Sequence, residues 1–147
     1  MSGITLLIED PNWRTHRGLQ ARLKNAAEAA RKAGKLKGDF TILLTSDKAL
    51  RILNRDFRGK DKPTNVLSFP GNDGYAGDIA IAHGVTAREA KAAGKRFADH
   101  ATHLAVHGVL HLAGHDHVRP KDAKVMEPLE VKILSRLGIA DPYVMPQ

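Results

Sequence analysis

Between residues 103 and 117 the chain carries His103, His107, His111, His115 and His117, with glycines at 108 and 114. His107 and His111 are four residues apart, so on a helix they sit one above the other on one face, about 6 Å apart along the axis. This spacing constrains the fold first. The segment has to be helical for two imidazoles to close on one point, and Gly114 ends it, because glycine takes the left-handed conformation common after a last helical turn. A reversal there brings His117 back toward the same point. Three neutral imidazole nitrogens with a fourth position open describe a catalytic zinc site, whereas a structural site would be closed by a fourth protein ligand. His115 competes with His117 for the third place, and the ten-residue offset from His107 favours His117. His103 shares the face but lies about 12 Å from His111 along the helix, too far for both to bind one ion at bonds of about 2 Å. It is expected to support the site from outside or to line its cleft.

Zincin proteases share this histidine spacing and place a glutamate directly after the first histidine as general base. Here that position is Gly108, which takes no proton. The expectation is a metal-dependent hydrolase that is not a peptidase, with a zinc peptidase or amidase as the rival enzyme. Composition narrows the setting. With no cysteine in 147 residues there is no disulfide framework, thiolate metal site or cysteine nucleophile, which suits a reducing cytoplasm. The short apolar run at the N-terminus is cut by Glu9 and Asp10, which reads as a first strand and not a signal peptide, and no membrane partner is expected. A net charge of +7 favours a polyanionic partner gripped through its phosphates. Few aromatic residues argue against extensive base stacking.

The pattern along the chain predicts a single layered α+β domain over 1–147, with a mixed four-stranded sheet and about five helices. Strands are expected at 4–8, 40–45, 65–69 and 77–82. A long helix is expected from Asp10–Pro11 to about Ala33, with Trp13 on its buried stripe, and a short one after Ser46. Arg55 to Thr64 reads as a loop. Thr86 and Glu89 read as a capping box opening a third helix. The metal helix spans about 96–113, and a last helix ends before Gly138, with Pro128 starting or bending it. Residues 141–147 read as a loosely held tail.

Several blocks carry a family resemblance: LNRDFRGKDKPTNVLSFP from Leu53 to Pro70, then Gly77-Asp78-Ile79, then HLAVHGVLHLAGHDH from His103 to His117, and Met126-Glu127 with Glu130 downstream. In that order they resemble the YbeY-type endoribonucleases, or ribosomal RNA maturation factors, whose metal site is zincin-like. The resemblance covers nearly the whole chain. It implies metal ligation by His107, His111 and His117 and a functional role for Arg58. It further implies cleavage of single-stranded RNA in ribosomal RNA 3′-end maturation, and quality control at the small ribosomal subunit with its associated proteins. Two departures stand out: His115 where tyrosine is usual, and Pro128 where a helix former is usual.

The chemistry expected from these residues is direct. A single zinc ion on three histidines supplies hydroxide near neutral pH for attack on a phosphodiester. Arg58, a permanent planar cation, would stabilise the charge growing on the phosphoryl oxygens. Lys60 and Lys62 would hold RNA backbone phosphates. With Gly108 in the glutamate's place, proton transfer falls to Asp116 or His115, or needs no separate base, and Asp116 or Asp78 would otherwise orient a ligand. Attack by the ribose 2′-hydroxyl in place of water stays open. The rival from another class is a ribosome-assembly binding protein whose metal only stabilises the fold.

Overall fold

The structure is a computed structural model and describes residues 3–115 and 120–143. The elements run β1 (Ile4–Ile8), a short 3-10 helix (Pro11–Thr15), α1 (Leu19–Gly34), β2 (Asp39–Thr45), α2 (Asp47–Arg58), β3 (Val66–Pro70), β4 (Tyr75–Ala82), α3 (His83–Ala92), α4 (Phe97–Leu112) and α5 (Pro120–Arg136). The four strands form one mixed sheet in the order β1-β2-β4-β3. The β1–β2 and β2–β4 pairs are parallel, and β3 runs antiparallel to β4. This is the α+β class, sheet and helix number that the sequence pattern predicts.

Alternation along the strands decides which elements meet. Phe40, Ile42 and Leu44 of β2 and Ile79 and Ile81 of β4 join one buried cluster with side chains from α1, α4 and α5. Leu67 of β3 and Ala80 and Ala82 of β4 point the other way and pack against Leu50 of α2. The histidine-bearing α4 is the central helix of the larger cluster. Ala101, Leu104, Ala105, Val106, Val109 and Leu110 are all buried, and a helix apolar over most of its circumference is held from several sides.

Some boundaries differ from expectation for local reasons. The first predicted helix is broken. Asp10 caps a 3-10 turn by accepting from Asn12 N–H at 3.0 Å, and buried Trp13 donates its indole N–H to the Thr45 carbonyl at 2.9 Å. The chain then passes Gly18 at φ +74° before α1 begins. α2 continues to Arg58, so the first four residues of the predicted loop are helical. α3 starts at His83, three residues before the predicted capping box, and the Thr86 hydroxyl instead donates to the Ala82 carbonyl at 2.6 Å. α5 runs through Pro128. Part of the expected tail is engaged: Lys95 Nζ donates to the Pro142 carbonyl at 2.7 Å.

Candidate metal centre

His100, His103, His107 and His111 recur at intervals of three and four along α4 and all line one cleft of about 650 Å³. The rings of His107 and His111 are 5.2 Å apart between centroids, and those of His103 and His107 are 6.3 Å apart. All four imidazoles are partly buried, because the rest of the helix surface is committed to the core.

From α5 a single carboxylate reaches this row. Glu130 is 0% exposed and lies on the buried stripe of its helix with Met126, Ile133 and Leu134. His103 Nε2–H donates to Glu130 Oε2 at 2.5 Å, and His107 Nδ1–H donates to Oε1 at 3.2 Å. The Tyr143 hydroxyl donates to Oε2 at 2.8 Å. Burial alone would raise the Glu130 pKa, but the hydrogen bonds from His103 and His107 prevail and hold it at about 2. Tyr143 shifts the opposite way, its hydroxyl made less acidic by burial and then by the charge of Glu130.

Ligand atoms of His103, His107 and Glu130 lie within 4.8 Å of one another, and these three residues are positioned to hold a metal ion. Two imidazoles and a carboxylate form a donor set suited to a divalent transition ion. The Nδ1 of His103 is buried without a hydrogen-bond partner among the described residues, so this nitrogen has capacity to spare. Glu130 also serves His107 in a second way. A carboxylate on Nδ1 fixes the tautomer that leaves Nε2 as a lone-pair donor, the arrangement that supports metal-bound histidines. The sequence reading gave Glu130 no role. The available signal was a lone carboxylate on the apolar stripe of the last helix, where a charge is costly unless paired.

The same cleft is also lined by Arg58, Lys60 and Lys62. Gly59, at φ +71°, closes α2 by donating its N–H to the Arg55 carbonyl, which leaves Arg58 as the last helical residue. Buried Asn54 pins the following loop, its Nδ2–H donating to the Lys62 carbonyl at 2.9 Å. Arg51 and Arg55 of the same helix pair with Asp61 and Asp56. Arg58 is exposed and has no carboxylate partner among the described residues.

Other expected site residues fall elsewhere. His117 and Asp116 lie outside the described residues. His115 follows the helix end, its backbone N–H donating to the Leu110 carbonyl at 3.0 Å, and is not among the residues lining the cleft. Asp78 does not support the site. Strand alternation puts it on the face of β4 opposite Ile79, exposed, where it accepts from the Tyr75 hydroxyl at 2.6 Å.

Gly108 has a packing reason. A Cβ there would stand 2.7 Å from Ile79 Cγ2 and 3.3 Å from Ser68 Oγ, and Ser68 already donates to the Gly108 carbonyl at 3.1 Å. We expect Gly108→Ala to lower stability by about 1–3 kcal/mol, the cost of overpacking a core contact. Urea unfolding checks this, and a variant as stable as the parent would contradict so close an approach of α4 to the sheet.

The class defined by fold and site is an α+β protein with a histidine–carboxylate donor group set in a basic cleft. Residues 8–138 match the family model described as Endoribonuclease YbeY. A protein of Chelativorans sp. named Endoribonuclease YbeY is 52% identical over 135 residues, covering 86% of this chain and 82% of the relative. Another of that name, from Maricaulis maris, is 44% identical over 148 residues, covering 97% and 92% respectively. The solution structure of TM1509 from Thermotoga maritima superposes with a TM-score of 0.63 at 26% identity, covering 96% of this chain and 99% of that one. The chain belongs to the YbeY endoribonuclease family.

Proposed function

We propose that this chain is a zinc-dependent endoribonuclease that cuts single-stranded RNA in the cytoplasm, acting in ribosomal RNA 3′-end maturation and in quality control of the small ribosomal subunit. The observation that best supports this is the cleft itself, whose lining includes His103 and His107 of the metal-capable group and also an arginine with no carboxylate partner among the described residues. Family membership supplies RNA as substrate.

In this reading His107, His111 and His117 hold a single zinc ion, while His103 and Glu130, which with His107 form the metal-capable group among the described residues, stand behind His107. Glu130 keeps His107 in the ligating tautomer, and His103 and Tyr143 keep Glu130 ionised and oriented. Zinc bound there supplies a Lewis acid that makes water nucleophilic near neutral pH and offsets part of the phosphodiester's charge. Arg58 grips the non-bridging oxygens as charge builds on them. Lys60 and Lys62 hold flanking phosphates. Proton transfer is left to His115, just past the end of α4, or to Asp116, or needs no separate base.

Elemental analysis paired with cleavage of defined single-stranded RNA, double-stranded RNA and casein tests this. The expected outcome is about one zinc per chain and cleavage of the single strand alone, lost on chelation and restored by zinc. Casein turnover abolished by His111→Ala, with RNA cleavage untouched, would establish a peptidase instead. Metal-loaded protein that binds RNA without cutting it would establish an assembly factor. Within the same reading, Lys60→Ala and Lys62→Ala should each weaken RNA binding modestly. Each should lower the salt slope by about one, as a contact to backbone phosphate does. Binding titrations across salt concentrations check this, and an unchanged slope would remove these lysines from the interface.

A further inference from the structure

Beyond the metal row the cleft holds one more constellation. Glu89 of α3 turns toward α4 and the start of β3, where its Oε1 accepts from Asn65 Nδ2–H at 3.0 Å and from His100 Nε2–H at 2.9 Å. Asn65 is itself fixed, its Oδ1 accepting from the Val66 N–H at 2.6 Å. Both lone pairs of Oε1 are thus engaged, and Oε2 has no partner among the described residues. Glu89 lines the cleft with 42% of its side chain exposed, and it is the only carboxylate among the described lining residues, whose cations are Arg58, Lys60 and Lys62.

A fixed anion in a cleft built for a polyanion needs a reason. It repels phosphate, so the RNA backbone must run along the basic wall, and Glu89 meets what projects from that backbone. It is badly placed to take a proton at the reacting phosphate. His100, its partner, lies seven residues before His107, about 10 Å along the helix, against a reach of about 3 Å for a general base. That separation suits the base of a neighbouring nucleotide. Single-stranded RNA exposes its base edges, and a carboxylate accepts from the amino group that cytosine presents there.

We propose that Glu89 is a specificity-determining residue: its outward oxygen accepts a hydrogen bond from the exocyclic amino group of a cytosine, adenine or guanine near the scissile phosphate. It disfavours uracil at that place, because the one donor on uracil's edge, N3–H, lies between two carbonyl oxygens that repel the carboxylate. This inference rests on the endoribonuclease reading above. The hydrogen bond from His100 lowers the Glu89 carboxyl from its ordinary value, burial opposes the shift, and Asn65 adds to the lowering, so the acceptor stays ionised at neutral pH.

The test uses the metal-loaded protein and single-stranded oligoribonucleotides of randomised sequence, with the product ends sequenced. In the wild type, uracil should be depleted by about threefold to tenfold at one fixed offset from the cut, the scale of a single hydrogen bond. Glu89→Gln is informative because the inner position must still accept from Asn65 and His100. The amide oxygen takes that place and its NH2 faces the cleft, so an acceptor becomes a donor. Depletion of uracil should then vanish or turn into enrichment at the same offset. Asn65→Ser, which releases one of the two bonds holding Oε1, should relax the depletion without inverting it. Wild-type protein that cuts RNA with no uracil depletion at any offset overturns the proposal, as does depletion that survives Glu89→Gln unchanged. If Glu89→Gln does not fold, depletion unaltered in Asn65→Ser overturns it. Protein that cuts no RNA at all instead overturns the nuclease reading, and this inference with it.

Discussion

Replacing Arg58 with glutamate should lower cleavage of single-stranded RNA by about a hundredfold or more, the scale of one preorganised charge at a transition state. Zinc content and melting temperature should not change. Arg58 is exposed at the end of α2 and has no carboxylate partner among the described residues, so its loss leaves no buried group stranded. It lines the same cleft as the histidine row, which is what gives it leverage. Arg58→Lys should fall between the two, since a lysine keeps the charge but loses the planar fork that grips two oxygens. Single-turnover rates with metal-loaded protein measure both. A normal rate for Arg58→Glu would remove this residue from the reaction.

The second large effect concerns Glu130. Glu130→Gln should weaken zinc binding by about 10- to 100-fold, the usual cost of losing a carboxylate behind a metal-binding histidine. Competition with a chelator reads this directly. The same change bears on stability. Glu130 is fully buried and its pKa falls from 4.5 to about 2 on folding, a shift equivalent to about 3 kcal/mol. The sign follows from the direction. A carboxyl whose pKa is depressed in the folded state stabilises it above the unfolded pKa, and that contribution disappears as pH falls through the folded one. Metal-free wild type should therefore lose stability between about pH 5 and pH 2 through this group, and Glu130→Gln should show a flatter profile from a lower plateau. Equal acid profiles for the two proteins would mean that the carboxylate is not held ionised by its histidines.

The histidine row was legible because a helix repeats. Spacings of three and four placed His103, His107 and His111 on one face of α4, and the expected helix bounds of 96–113 lie within a residue of Phe97–Leu112. The same kind of pattern misled elsewhere. Thr86 and Glu89 have capping-box spacing, but α3 begins at His83, so their side chains are free for other partners, and Glu89 turns into the cleft. Trp13 has helical spacing with α1, yet its indole N–H finds the Thr45 carbonyl, and the chain kinks at Gly18 to allow it. Glu130 was only faintly legible. Its place on the apolar stripe was a signal, but a glutamate among lysines and glutamates on a last helix resembles a solvated face, and it took the fold, by bringing α5 against α4, to show that this carboxylate points inward. Asp78 erred in the opposite direction, because neighbouring strand residues point to opposite faces and a sequence alone does not say which face meets the histidines.

The contact between α4 and the sheet also bears on how this scaffold could be re-engineered. Grafting a glutamate at position 108 is the obvious way to install a peptidase base, but that position abuts Ile79 and Ser68. The incoming side chain would be steered into β4 and β3, and the helix bearing the histidine row would be pried from its seat. Room would have to be carved first, for example with Ile79→Ala. Reaction type and core packing are thereby interlocked in this protein, and the residue that bars one hydrolytic chemistry is an isoleucine that never meets substrate.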